Sequence, residues 1–153
     1  MRKLLLVLML VATNQLFAQQ RIEKSFDGIT KIDITVSSGD ASFKKGDSKQ
    51  VSMVLEHTID DYNPEIEKRG SRLIIKEERR NGSWSSRGSA SWEFEIPDGI
   101  DIEFQTGSGT LSIEDLEADV RSNSGSGDML FSNSNIDAKV NTGVGPKRPT
   151  PMK

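Results

Sequence analysis

Apolar and polar positions alternate over short stretches through most of the chain. Ile32, Ile34 and Val36 are separated by Asp33 and Thr35, the period-two signature of a half-buried strand. Ser37-Ser38-Gly39-Asp40 is a turn, after which Ala41 and Phe43 resume the alternation as far as the Lys45-Gly46-Asp47 turn. Val51, Met53 and Leu55 predict a further strand ending near His57, and Asp60-Asp61-Tyr62-Asn63-Pro64 reads as a loop. Leu73-Ile74-Ile75-Lys76 is a short strand entered through Gly70, and Trp92, Phe94 and Ile96 form another, closed by Pro97-Asp98-Gly99. Between these last two, residues 77–91 turn polar. Five of the nine residues from Ser83 to Ser91 are serine, a composition that predicts a long flexible loop carrying Trp84. No segment shows a convincing amphipathic helical period.

From residue 100 onward the pattern repeats. Gly107-Ser108-Gly109, Gly125-Ser126-Gly127 and Gly143-Val144-Gly145 lie eighteen residues apart. Ile100, Ala118 and Ile136 share that phase, as do Ile102, Val120 and Ala138, and Leu111 with Met129. One such unit has an apolar face that it cannot bury alone, so a period near 20 residues predicts stacked turns of chain. The expected fold is all-β: a single-domain β-solenoid or β-roll with roughly 18-residue repeats in its C-terminal half. Stacking would place Gln105, Asn123 and Asn141 in an amide ladder, Glu103 beside Arg121, and Asp101, Asp119 and Asp137 in one acidic column.

The ends of the chain read differently. Arg2 and Lys3 precede an apolar run from Leu4 to Ala12, and Leu16-Phe17-Ala18 precedes Gln19. That order predicts a signal peptide over residues 1–18, cut after Ala18. The run is too short to cross a bilayer, which takes about 20 apolar residues, and no later stretch predicts a transmembrane segment. The product is then expected outside the cytoplasm: in the periplasm, on the cell surface or free. Residues 19–145 form the expected domain. Residues 146–153 hold three of the five prolines, and proline cannot donate to a strand ladder. This tail reads as a disordered end, as the mark of a cut or frameshifted product, or as a segment crossing the last edge. An open last edge would also permit self-association.

Composition narrows the chemistry. The 153 residues contain no cysteine, which excludes a disulfide framework, a thiolate metal site, a cysteine nucleophile and a lipidated N-terminal cysteine. The one histidine, His57, excludes a multi-histidine metal site. Without Arg2 and Lys3 the net charge moves from −3 to −5, so nucleic acid is not an expected partner.

The order of several short motifs resembles a known family. Phe26-Asp27-Gly28-Ile29, the strand Ile32 to Val36, the Lys45-Gly46-Asp47-Ser48 turn, Gly70-Ser71-Arg72-Leu73-Ile74-Ile75 and the Gly-Ser-Gly repeats together resemble the bacterial adhesins of the cell envelope and their relatives with the auto-transporter adhesin head (GIN) domain. The resemblance covers residues 26–145 and departs at the Pro-rich end. It implies an exported β-solenoid and supplies no catalytic residues.

Candidate sites follow from residue type. Trp84 among Arg79, Arg80 and Arg87 is the kind of group that anchors protein interfaces or stacks on sugars; the competing reading is a tryptophan folded back on the core. The Asp101, Asp119 and Asp137 column is the candidate calcium site, because carboxylates are suitably hard ligands. Against it stands a solvated acidic face relieved by Arg121 and Lys139. His57 reads as a packing or solvated residue, since no Gly-x-Ser-x-Gly elbow accompanies it. The Gly-Ser-Gly turns precede strands, not helices, so they do not read as phosphate loops. The leading expectation is a non-catalytic, adhesin-like binding protein with no resident cofactor, recognising a protein or glycan. A structural or sensory periplasmic envelope module comes second, and a polysaccharide-active enzyme third.

Overall fold

The computed structural model describes residues 19–59, 62–77 and 88–143. Residues 1–18, where a signal peptide is expected, the tail over residues 146–153 and residues 78–87 of the 77–91 segment lie outside them. Among the described residues every regular element is a strand, so the chain is all-β. The strands are β1 (Gln20–Phe26), β2 (Lys31–Ser38), β3 (Asp40–Lys45), β4 (Val51–His57), β5 (Glu65–Arg69) and β6 (Arg72–Lys76). They continue as β7 (Ala90–Ile96), β8 (Asp101–Ser108), β9 (Leu111–Glu114), β10 (Glu117–Ser126), β11 (Met129–Ser132) and β12 (Asn135–Thr142). No helix among the described residues is long and apolar enough to cross a membrane.

Two six-stranded mixed sheets result. Sheet I has the order β1-β4-β7-β3-β9-β11, and sheet II the order β12-β10-β8-β2-β6-β5. The chain passes from sheet II to sheet I between β2 and β3, again between β8 and β9, and again between β10 and β11. β8, β10 and β12 pair in parallel at an offset of eighteen residues, as in Ile102 with Val120 and Val120 with Ala138. β9 and β11 keep the same offset, Leu111 lying beside Met129. The level before them is not a sequence neighbour. β2 aligns with β8 through Ile32 and Ile102, and β3 with β9 through Ala41 and Leu111. After β3 the chain builds β4 to β7, laying β6 beside β2 and β7 beside β3 in parallel, and returns on the other side of β2 at β8. β4 runs antiparallel to both its neighbours, β1 and β7.

Alternation dictates the core. The inward faces of both sheets meet in one apolar cluster whose largest fully buried side chains include Trp92, Phe43, Phe94 and Phe104. The Phe43 and Phe94 rings stack with centroids 4.6 Å apart. The core narrows toward β12. Inward from sheet II, Phe104 is followed by Ser122 and Val140, and Ile102 by Val120 and Ala138. At the last level Met129, Phe131, Ile136, Ala138 and Val140 are only half buried.

Two strands escaped the sequence reading, β1 and β5. Both are outermost strands of their sheets, and both are rich in charge, with Arg21, Glu23 and Lys24 in one and Glu65, Glu67, Lys68 and Arg69 in the other. Charged edge strands resist pairing with other chains, and the same charges erase the apolar alternation that marks a strand.

The corner between sheets explains the Gly-Ser-Gly spacing. A Cβ on Gly109 would lie 2.0 Å from the Gly39 carbonyl oxygen, and one on Gly127 would lie 2.0 Å from that of Gly109. Both residues have φ near +152°. Backbone therefore sits directly on backbone at this corner, level over level, and any side chain would push the levels apart. Gly127→Ala should lower stability by about 3 kcal/mol, combining the clash with the backbone strain. Gly28→Ala, at a positive φ but with open space around it, should cost only about 1 kcal/mol. Urea unfolding midpoints of the two variants test the difference.

Candidate binding face

The outer face of sheet II carries the ordered polar rows that the sequence predicts. Register defines three of them. The first runs Arg72, Lys31, Asp101, with Asp119 and Asp137 following in the same phase. The second runs Asp33, Glu103, Arg121, Lys139. The third runs Lys76, Thr35, Gln105, Asn123, Asn141. Neighbouring members of a row are about 4.8 Å apart, the strand spacing. The first row thus changes from basic to acidic across the sheet, and the second changes from acidic to basic.

Side chains tie the rows together at the centre. Lys31 Nζ lies 2.8 Å from Glu103 Oε2 and 3.3 Å from Asp33 Oδ1. Arg72 Nη1 lies 3.4 Å from Asp33 Oδ2. Gln105 Nε2 donates to Glu103 Oε1 at 3.2 Å. The expected partner of Glu103 was Arg121. It is indeed the register neighbour, and its charge acts on Glu103, but the close ion pair is made by Lys31 from β2. Hydrogen bonding to Lys31 holds the Glu103 carboxyl below the ordinary carboxylate range, assisted by the Lys31 and Arg121 charges and opposed by partial burial. Lys31 is shifted upward by the same bond to Glu103, against desolvation and with help from Asp33.

A shallow depression of about 160 Å³ follows the first two rows, lined by Lys31, Asp101, Glu103, Asp119, Arg121, Asp137 and Lys139. Drug-sized ligands usually occupy about 300 Å³ or more, so this is a track on a face and not a small-molecule pocket. Asp101, Asp119 and Asp137 do fall in one column, yet they project along a flat sheet. Among the described residues no group of three or more acidic or histidine side chains converges as a metal site would.

The remaining sequence candidates are placed as follows. Gln105, Asn123 and Asn141 are aligned and exposed, though the Gln105 amide is engaged by Glu103 within its own strand. Trp84, Arg79, Arg80 and Arg87 lie outside the described residues. His57 is buried, at 2% exposure, with Nδ1 3.1 Å from the Ile59 carbonyl and its ring 5.0 Å from that of Tyr62. It is a packing residue. Burial raises the Tyr62 hydroxyl's pKa, as does the nearby Glu77 carboxylate, which itself accepts a bond from the Ser37 backbone N–H. Composition alone does not reveal Lys31 and Asp33 as members of the face, because their partners are far along the chain.

The sequence pattern of the Toastrack DUF4097 family matches residues 29–145. This chain belongs to that family. Among solved structures, a candidate cell adhesion protein from Clostridium sporogenes ATCC 15579 shares the Toastrack chain's fold, with a TM-score of 0.53 at 10% identity. The match covers 81% of this chain and 98% of that one. A candidate adhesin from Bacteroides fragilis NCTC 9343 aligns with a TM-score of 0.43 at 12% identity, over 80% of this chain and 75% of the other. A candidate lipid-binding protein from Parabacteroides distasonis ATCC 8503 aligns at 0.45 and 14% identity, over 81% and 62%. No curated protein is significantly similar to the chain.

The Lys31–Glu103 pair gives this Toastrack chain a defined pH response. A carboxylate held below its ordinary value of 4.5 contributes stability at neutral pH, and the contribution fades as pH falls through its lowered value. Glu103→Gln should therefore destabilise the chain at neutral pH by about 0.5–1 kcal/mol, the scale of a partly exposed pair. The difference should shrink as the pH falls through the lowered carboxyl value, and vanish once the wild-type carboxyl is protonated too. Urea unfolding of both proteins from neutral pH downward measures it.

Proposed function

We propose that this chain is an exported, non-catalytic binding protein of the cell envelope. In this reading its stacked strands form a β-solenoid whose sheet II face lies along a polymer or protein partner. The observation that carries the proposal is the set of aligned rows, with charges of both signs bordered by a neutral amide and hydroxyl row. An extended partner with repeating groups meets equivalent side chains at each strand, so weak contacts add along its length. Gln105, Asn123 and Asn141 offer both donors and acceptors, which suits the hydroxyls of a glycan. The depression is shallow and open along the rows, which suits a partner lying on the face. The fold likeness to the Clostridium sporogenes protein agrees with an adhesive role, and likeness to the GIN head domain belongs to the same reading.

Two measurements test it. In a screen against immobilised glycans and matrix proteins, the wild-type chain should bind in a salt-sensitive way. The exposed double variant Asn123→Ala/Asn141→Ala should keep its fold and bind about tenfold more weakly, the scale of one or two lost polar contacts. Equal binding by the variant would place the site elsewhere. Trypsin added to intact producing cells should cut at Arg79, Arg80 or Arg87, as read by mass spectrometry. Protection until the envelope is opened would instead favour a structural or sensory periplasmic module.

A further inference from the structure

We propose that two copies of this chain join edge to edge through β12, antiparallel and centred on Ala138. The inference does not depend on the adhesive reading. β12 ends sheet II, and among the described residues no strand pairs with its outer side. Its backbone is poised for such a partner. Asn135 and Gly143 donate their N–H groups to Leu116 and Ser124 on the β10 side. Donors and acceptors alternate in direction along a strand, so Ile136, Ala138 and Val140 aim theirs at the free edge.

The side chains of β12 are self-complementary about Ala138. Turning the strand end for end and laying it beside itself sets Asp137 opposite Lys139 of the second copy, and Lys139 opposite Asp137. The same operation sets Ile136 against Val140 on the inner face, and Asn135 against Asn141 on the outer. Ala138 meets Ala138. The alternation of the antiparallel ladder then makes Ala138 with Ala138 and Ile136 with Val140 the hydrogen-bonded pairs. The Asp137–Lys139 pairs become the closer, non-hydrogen-bonded ones, where cross-strand ion pairing is most effective. A register shifted by two residues in either direction loses this match, because it sets Asp137 opposite Asp137 or Lys139 opposite Lys139.

The surroundings favour the same partner. β11 lies one corner before β12 and ends sheet I at the same end of the stack, where Leu130 is 50% exposed. A two-fold axis normal to the sheets brings the β11 edges together as it pairs the β12 edges. The half-buried Met129, Phe131, Ile136 and Val140 would then close against their copies. The opposite edges, β1 and β5, carry the charges that discourage such pairing. β12 carries one acid and one base, placed so that they attract in the antiparallel arrangement.

Sedimentation equilibrium on the chain from Gln19 to Lys153, which keeps every described residue, tests the proposal. A concentration-dependent dimer is expected. Asp137→Lys and Lys139→Asp should each raise the dissociation constant about tenfold or more, since each turns two attractive contacts into repulsive ones. The double variant D137K/K139D should restore dimerisation. An equimolar mixture of the two single variants should form a mixed dimer of near wild-type strength. Ala138→Pro removes a donor from the free edge without touching the β10 ladder, and should abolish the dimer while circular dichroism stays unchanged. That variant keeps the test decisive if the charge variants fold poorly. A wild-type chain that stays monomeric would overturn the proposal. So would a dimer whose strength is the same in all variants. Dimerisation seen only after residues 146–153 are removed would assign the edge to the chain's own tail and overturn it as well.

Discussion

Contact between one backbone and the next at the glycine corner is the constraint on which the stack rests. Gly39, Gly109 and Gly127 occupy successive levels, and each later glycine lies on the carbonyl of the one before. This approach lets β2, β8 and β10 hydrogen-bond at ordinary strand spacing while β3, β9 and β11 do the same on the other sheet. Without it the two sheets could not turn the same corner at the same pitch. A second column does similar work beside the first, with Gly107 over Ser37 and Gly125 over Gly107. The serine between the glycines is carried along in register, Ser38 beside Ser108 and Ser108 beside Ser126. The Gly-Ser-Gly motif is therefore a packing requirement, which is why it resembles a phosphate loop in sequence and not in use.

Once the levels stack, the polar face follows without further instruction. Every outward residue meets its equivalents along a row, so a single choice of side chain is multiplied across the sheet. Rows that reverse sign, from Arg72 and Lys31 to the three aspartates and from Asp33 and Glu103 to Arg121 and Lys139, keep like charges from accumulating over the whole face. The Lys31 ammonium serves two carboxylates at the junction. It neutralises the place where the second row brings Asp33 beside Glu103.

The sequence showed most of this architecture where alternation is clean and spacing is regular. β8, β10 and β12 were legible from their apolar phase, and the alignment of Asp119 with Asp137 and of Asn123 with Asn141 followed from it. The level formed by β2 and β3 was legible as strands but not as part of the stack, because Ile32 and Ile102 are separated by the long excursion through β4 to β7. For the same reason Lys31 was not expected beside Glu103. β1 and β5 were hidden by Lys24 and by the charges around Ile66, which suit an edge and break the pattern of a strand. His57 was read as a packing or solvated residue, and its own burial, with Ile59 and Tyr62 against it, decides for packing.

The excursion between β3 and β8 also shapes how the chain must fold. β10 finds β8 and β12 after closing loops of eighteen residues, but β2 reaches β8 only across seventy. The nearby pairings have the thinnest core, with Ser122 and Ser124 turned inward. The bulky interior of Trp92, Phe94 and Phe43 belongs to the distant pairings. Local contacts come cheaply here and bury little, whereas the contacts that bury most carry the greater loop-closure entropy. A chain so arranged has a high contact order, and chains of that kind fold slowly.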